Sequence, residues 1–188
     1  MFLKVGQPAD HGFDEPLGLL SDCHRRIQRF LQMLAAIARD AAGGPPSDVQ
    51  RSQLEAALTY FATAAPKHKA DEEESVFPRL RRSREPEAAR VQELLARLEN
   101  DHGAAEEHHR AVDVLVRRWL GDERLDPEDV SQLATRLAAL DAIYRPHIAV
   151  EDNELFPAAA RLLSAHELQE IGREMAARRG LPGGSARA

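Results

Sequence analysis

The sequence predicts an all-α chain: an up-down four-helix bundle followed by a short fifth helix. Three observations predict it. Ala, Leu, Glu and Arg, which are strong helix formers, dominate 188 residues of which 5% are aromatic. No stretch alternates apolar and polar residues with the two-residue period of a strand. Apolar residues instead recur every three or four positions over four long segments, and the short loops between them favour antiparallel neighbours.

The first helix is expected over 17–42, where Gly43-Gly44-Pro45-Pro46 breaks the chain. Ser47, with Gln50 three residues on, forms a capping box for a second helix over 48–82. Pro86 suits the first position of a third, over 87–120, which Gly121 closes. Asp126-Pro127-Glu128-Asp129 supplies an N-cap, a helix-opening proline and two acids favourable to the dipole of a fourth, over 127–162. Ser164 with Glu167 starts the short helix, over 164–180, which Gly180 ends. The domain organisation expected is a leader over 1–16, a bundle over 17–163, the short helix and a disordered tail over 181–188.

Composition narrows the function classes. Twenty-five basic against 31 acidic residues leave a net charge of −6, which argues against a nucleic-acid partner. No apolar run approaches the roughly 18 residues that span a bilayer, so no membrane partner is expected. The N-terminus lacks an export pattern, and the expected location is cytoplasmic. One cysteine, Cys23, can form neither an internal disulfide nor a thiolate cage.

An internal repeat carries the chemistry. The second helix shows the seam Leu54, Leu58, Phe61, Ala65, His68, Glu72, and the fourth shows Leu133, Leu137, Leu140, Tyr144, His147, Glu151, each pair 79 residues apart. Val76-Phe77-Pro78 and Leu155-Phe156-Pro157 keep the same offset. Pro66 and Pro146 precede the two histidines, and a mid-helix proline frees a carbonyl and bends the helix there. The other two helices repeat more faintly, with His24 on one seam and His102, Glu106 and His109 on the other. The chain reads as two helix hairpins, each with one histidine on its first helix and a His-x-x-x-Glu pair on its second.

The spacing alone is weak, because five of the eight histidines have Glu four residues on. His11/Glu15 lies in the leader, and His166/Glu170 lies off the Leu168, Ile171, Met175 stripe and is expected in solvent. The other three pairs interrupt apolar seams. Burying those groups without partners would cost several kcal/mol each, about what any unpaired buried polar or charged group costs. One core histidine is ordinarily a packing residue; four histidines and three glutamates facing one interior are satisfied together by a metal centre. Ferritin-type sites instead place Glu-x-x-His on two helices. Here both such pairs, Glu99/His102 and Glu106/His109, fall on one helix.

These residues resemble the hemerythrin-like, HHE cation-binding family over roughly 17–163: a lone His on the first helix, His-x-x-x-Glu on the second, His-x-x-x-His or -Glu on the third and His-x-x-x-Glu or -Asp on the fourth. The resemblance implies a hemerythrin-like bundle holding two irons per chain, bridged by carboxylates and an oxo or hydroxo group. It implies His24, His68, Glu72, His102, Glu106, His147 and Glu151 as ligands, with Glu72 and Glu151 bridging. Donors of this kind also accept Mn or Zn. Glu106 stands where the oxygen-carrying members have histidine, and a more anionic shell favours the ferric state over reversible O2 carriage. One coordination position remains open for O2, NO, peroxide or water.

Tyr144, on the face of His147, and His109, on the face of His102, are candidates for the shell around the ligands, with ordinary packing the alternative for Tyr144 and replacement of Glu106 as ligand an alternative for His109. His108 and three of the four acids of 71–74 are expected in solvent, Cys23 and Trp119 in the core. Two functions follow: a centre that binds or reduces a small oxidant, in the latter case a peroxide- or NO-consuming oxidoreductase, or a non-catalytic iron or oxygen sensor or iron-binding module acting through a partner. A metal-free interaction bundle is the remaining alternative.

Overall fold

The computed structural model of the chain describes residues 11–83 and 88–181. Five continuous helices fill it, and there is no strand among the described residues. Helix α1 runs Pro16–Ala41. Helix α2, Asp48–Ala70, passes through a π-helical turn, Asp71–Val76, straight into α3, Phe77–Arg82. Helix α4 spans Ala88–Asp122. Helix α5, Pro127–Val150, passes through a second π-helical turn, Glu151–Leu155, into α6, Phe156–Leu162. Helix α7, Ala165–Arg178, is the short fifth rod.

The expected caps are in place. The Gln50 N–H donates to Ser47 Oγ at 3.3 Å while the Ser47 N–H donates to Gln50 Oε1 at 2.9 Å. Ser164 and Glu167 form the same reciprocal box. Asp126 accepts from the Asp129 N–H at 2.9 Å, with Pro127 at the first helical position. The third long helix differs from expectation at its C-terminal end: Gly121 lies inside it, and the chain turns at Glu123, whose φ is +55°. Pro86, most of the expected leader (1–10) and residues 182–188 of the expected tail lie outside the described residues.

At that end the two loops interlock. Gly43, at φ +79°, accepts the Leu125 N–H at 2.9 Å; a Cβ there would lie 2.6 Å from Val130 and 2.7 Å from the Leu125 carbonyl, so only glycine combines this backbone with this approach. Trp119 is buried as expected, and its indole N–H donates to the Gly44 carbonyl at 2.9 Å.

Each π-helical turn follows its helix proline by the same interval, 66 to 71 and 146 to 151. The widened bonds run from the Phe77 N–H to the Glu72 carbonyl and from the Phe156 N–H to the Glu151 carbonyl. Pro78 and Pro157 follow at once, and a proline ring collides with the carbonyl four residues back in a regular helix; a wider turn relieves that collision. The repeated Phe-Pro thus sets a local distortion at the two expected metal-binding glutamates.

The apolar interior divides into two clusters. One, near the interlocked loops, contains Ile27, Leu34, Leu54, Val116, Trp119 and Leu140. The other, at the opposite end, contains Leu20, Phe77, Leu95, Leu155, Phe156 and Met175. Along every long helix the histidines and glutamates of the repeat fall between them, so the polar layer is sealed at both ends. Helix α7 caps the second cluster. Gly172 lets it approach the Phe13 carbonyl so closely that a Cβ would stand 1.9 Å from the oxygen. The Arg179 guanidinium lies 5.8 Å above the Phe13 ring.

Candidate metal centre

Four imidazoles and two carboxylates meet inside this layer, all of them buried. They form two groups, His24–His68–Glu72 and His102–His147–Glu151, within each of which one donor atom per residue lies within 4.8 Å of the others. Glu72 turns Oε1 toward His68 Nε2 (3.3 Å) and His24 Nε2 (3.7 Å), and Oε2 toward His102 Nε2 (3.3 Å). Glu151 Oε2 lies 3.1 Å from both His24 Nε2 and His147 Nε2. Both glutamates therefore stand between the groups.

These short separations are not good hydrogen bonds. Both oxygens of Glu72 and of Glu151, together with His24 Nε2, are fully buried with no hydrogen-bond partner among the described residues. Orphaned buried acceptors are costly and rare in native proteins. A cation between them accepts lone pairs from all of these atoms at once, so the donor set fits a metal.

The outer ring nitrogens are held from behind. Asp152 Oδ1 lies 2.9 Å from His24 Nδ1, Glu73 Oε1 lies 2.8 Å from His102 Nδ1, and Asp101 Oδ2 lies 3.4 Å from His147 Nδ1. Such carboxylates fix the Nδ1–H tautomer and aim the Nε2 lone pair inward. Phe156 stacks on His24 at 5.5 Å and Phe77 lies parallel to His102 at 6.4 Å, closing the layer on the side of the second apolar cluster.

Ionisation follows from this packing. Burial disfavours the charged form of His102, but Glu72 and Glu73 outweigh it and push its pKa up to about 9. His24 is likewise raised well above the ordinary histidine value, against its burial, by Asp152, Glu151 and Glu72. His68 is lowered, chiefly by burial. Glu72 is held well below the usual carboxylate range, against its own burial, by His68, His102 and His24. A ligand nitrogen must lose its proton to bind a metal. The raised His102 is protonated below about pH 9, so apparent metal affinity should rise with pH toward that value and uptake should release protons; chelator competition across pH checks both. Affinity independent of pH between 6 and 9 would contradict it.

Six of the seven expected ligands converge. Glu106 does not: its carboxylate is half exposed and ion-paired with Lys69, which also lies 3.8 Å from Glu73. The pairing lowers the Glu106 pKa, and a solvated ion pair holds the charge without desolvating it. His109 Nε2 lies 3.0 Å from the Tyr144 hydroxyl, and its ring packs on Phe61 at 4.5 Å. Burial brings the His109 pKa down to about 4, leaving it a neutral partner for Tyr144. A cavity of about 320 Å³ joins these residues: His68 and His102 line it along with Tyr144, His109, Lys69 and Glu106.

Other expectations for the acids need correcting. Of 71–74 only Glu74 is exposed. Asp71 is fully buried, bonded by Arg178 Nη1 at 2.8 Å from the end of α7 and by Arg179 Nη2 at 2.7 Å from its C-cap, and Glu73 is drawn inward by His102. The π-helical turn carries both toward partners on other helices. His108 is half-buried against Arg136 rather than solvated. His11 binds Asp22, and His166 is exposed near Glu170, so neither reaches the centre. The signal for two of the backing acids lay in the repeat, since Glu73 and Asp152 are also 79 apart.

Comparison with known proteins agrees with this geometry. The hemerythrin HHE cation binding domain family matches residues 15–159. An uncharacterized protein of Haemophilus influenzae is 30% identical over 167 residues, covering 89% of this chain and 91% of that protein.

Proposed function

From the premise that this chain belongs to the hemerythrin HHE cation-binding family, we propose that it holds two irons in the polar layer and binds or reduces a small oxidant there. His24, His68 and Glu72 would hold one ion and His102, His147 and Glu151 the other, with Glu72 and Glu151 bridging. The observation that carries this reading is the set of buried, unpartnered carboxylate oxygens on Glu72 and Glu151, each facing histidines of both groups. Mn or Zn would fit the same donors. Bound iron supplies one-electron redox change and open coordination positions.

The chain's own residues do the rest. Asp152, Glu73 and Asp101 keep protons on the outer ring nitrogens. Lys69 holds Glu106 away, which leaves one more position for an incoming molecule than a seven-ligand set would. O2, peroxide or NO reaches the His68 and His102 face through the cavity, past the hydrogen-bonded Tyr144 and His109. The test is iron quantification with a spectrum before and after dithionite and then air. Near two irons per chain, with charge-transfer absorption that bleaches on reduction and returns in air, supports the reading; a colourless protein without iron after anaerobic loading contradicts it. Catalytic turnover of peroxide or NO then marks the oxidoreductase.

One observation favours the sensor reading. Asp71, beside Glu72 on the π-helical turn, is gripped by two arginines at the C-terminal end of α7, Arg178 and the C-cap Arg179, so a change at Glu72 is felt by a surface helix. Stoichiometric binding without turnover supports that reading.

A further inference from the structure

The repeat makes the centre nearly two-fold, with α1 corresponding to α4 and α2 to α5. Glu73, on the first π-helical turn, backs His102 of α4; Asp152, on the second, backs His24 of α1. Asp101, immediately before His102, backs His147 of α5. The residue immediately before His24 is Cys23, which is buried and offers no carboxylate. Its symmetry-related partner would be His68. There Nδ1 is fully buried and has no hydrogen-bond partner among the described residues. Among the described residues, three of the four imidazoles thus have a carboxylate behind them and one does not.

We propose that the two cation positions are unequal and fill in order, His102–His147–Glu151 first and His24–His68–Glu72 second, because Asp101 backs His147 while Cys23 leaves His68 unbacked. The inference rests on the reading that the centre holds two cations. A ring whose Nδ1–H is bound by a carboxylate is locked in the tautomer that presents Nε2, and is a stronger base there. His68 must instead keep a buried, unsatisfied N–H while its Nε2 binds, which weakens the position it serves. Loss of one such outer partner commonly lowers metal affinity by about 10–100-fold. The ions concerned are divalent first-row cations that accept nitrogen and oxygen donors.

Titration of the metal-free full chain with Co2+ or Zn2+, against a chelator of known affinity, tests it. Two steps separated by about 10–100-fold are expected. Because Glu72 and Glu151 lie between both positions, coupling alone also splits the steps, and Asp101→Ala separates the two causes. That variant should weaken the tighter step by about 10–100-fold and bring it to the level of the other. Glu99→Ala, on the same helix but paired with Arg81, should leave both steps unchanged. Cys23→Asp, where it folds, should tighten the weaker step; Asp101→Ala decides the matter without it. Two equal steps, or unequal steps that Asp101→Ala leaves unmoved, overturn the ordering alone. A chain that takes up no cation overturns the two-cation reading itself.

Discussion

Replacing Glu151 or Glu72 by alanine is expected to reduce bound iron from near two per chain to well below one, while Glu170→Ala leaves it unchanged. The two cation positions share donor residues. Glu72 approaches three of the four histidines and Glu151 approaches two, so deleting either removes a donor from both cation positions together. Even an outer partner that never touches metal is worth about 10–100-fold in affinity, and a bridging ligand is worth more. The isosteric Glu151→Gln keeps the volume and loses the charge, so it should lose iron too if binding rather than packing is at stake. Glu170 repeats the His-x-x-x-Glu spacing with His166, yet lies on α7 at the edge of the Arg79 ion pair. Metal analysis of the purified variants is the measurement. Equal iron in Glu151→Ala and Glu170→Ala would remove the assignment.

The second large effect is on stability. The double variant Arg178→Ala/Arg179→Ala should destabilise the chain by about 3–5 kcal/mol, the usual cost of stripping partners from a buried charge. At this size that lowers the melting temperature by roughly 6–20 °C. The Asp71 carboxylate is fully buried, whereas the arginines are about one-fifth exposed, so the cost falls on the acid left behind. Arg178 also binds Ser75 at 2.8 Å, and Arg79 of α3 binds Glu174 of α7 at 2.8 Å, so α7 should loosen from the π-helical turn as a unit. Adding Asp71→Leu to the double variant should recover much of the loss, since an apolar replacement leaves no stranded charge. Thermal unfolding followed by circular dichroism reads both results. A double variant within about 1 kcal/mol of the parent would mean that Asp71 finds water or another partner.

Much of the centre was legible in the sequence because facing is a local property. Three- and four-residue steps place His68, Glu72, His147 and Glu151 on the same helix faces as Leu54 and Leu133, and a 79-residue offset repeats the pattern; both survive whatever the helices pack against. The caps at Ser47, Asp126 and Ser164 are local for the same reason, their partners lying three residues away. Glu106 satisfies the face rule equally well and still turns outward, because Lys69 of a neighbouring helix competes for it. Asp71 looked like part of a solvated acidic run, since its two arginines lie more than a hundred residues further along the chain.

From sequence alone the protein is a helical bundle with a layer of histidines and glutamates on the faces that form its core, since periodicity and repeat decide which helix face each residue occupies. Tertiary structure alone decides which acid stands behind which imidazole, which glutamate is diverted to a lysine, and that His68 has no outer partner among the described residues. Those choices are contests between side chains of different helices for the same few ångströms. Their outcome depends on relative position in space, which no single helix encodes.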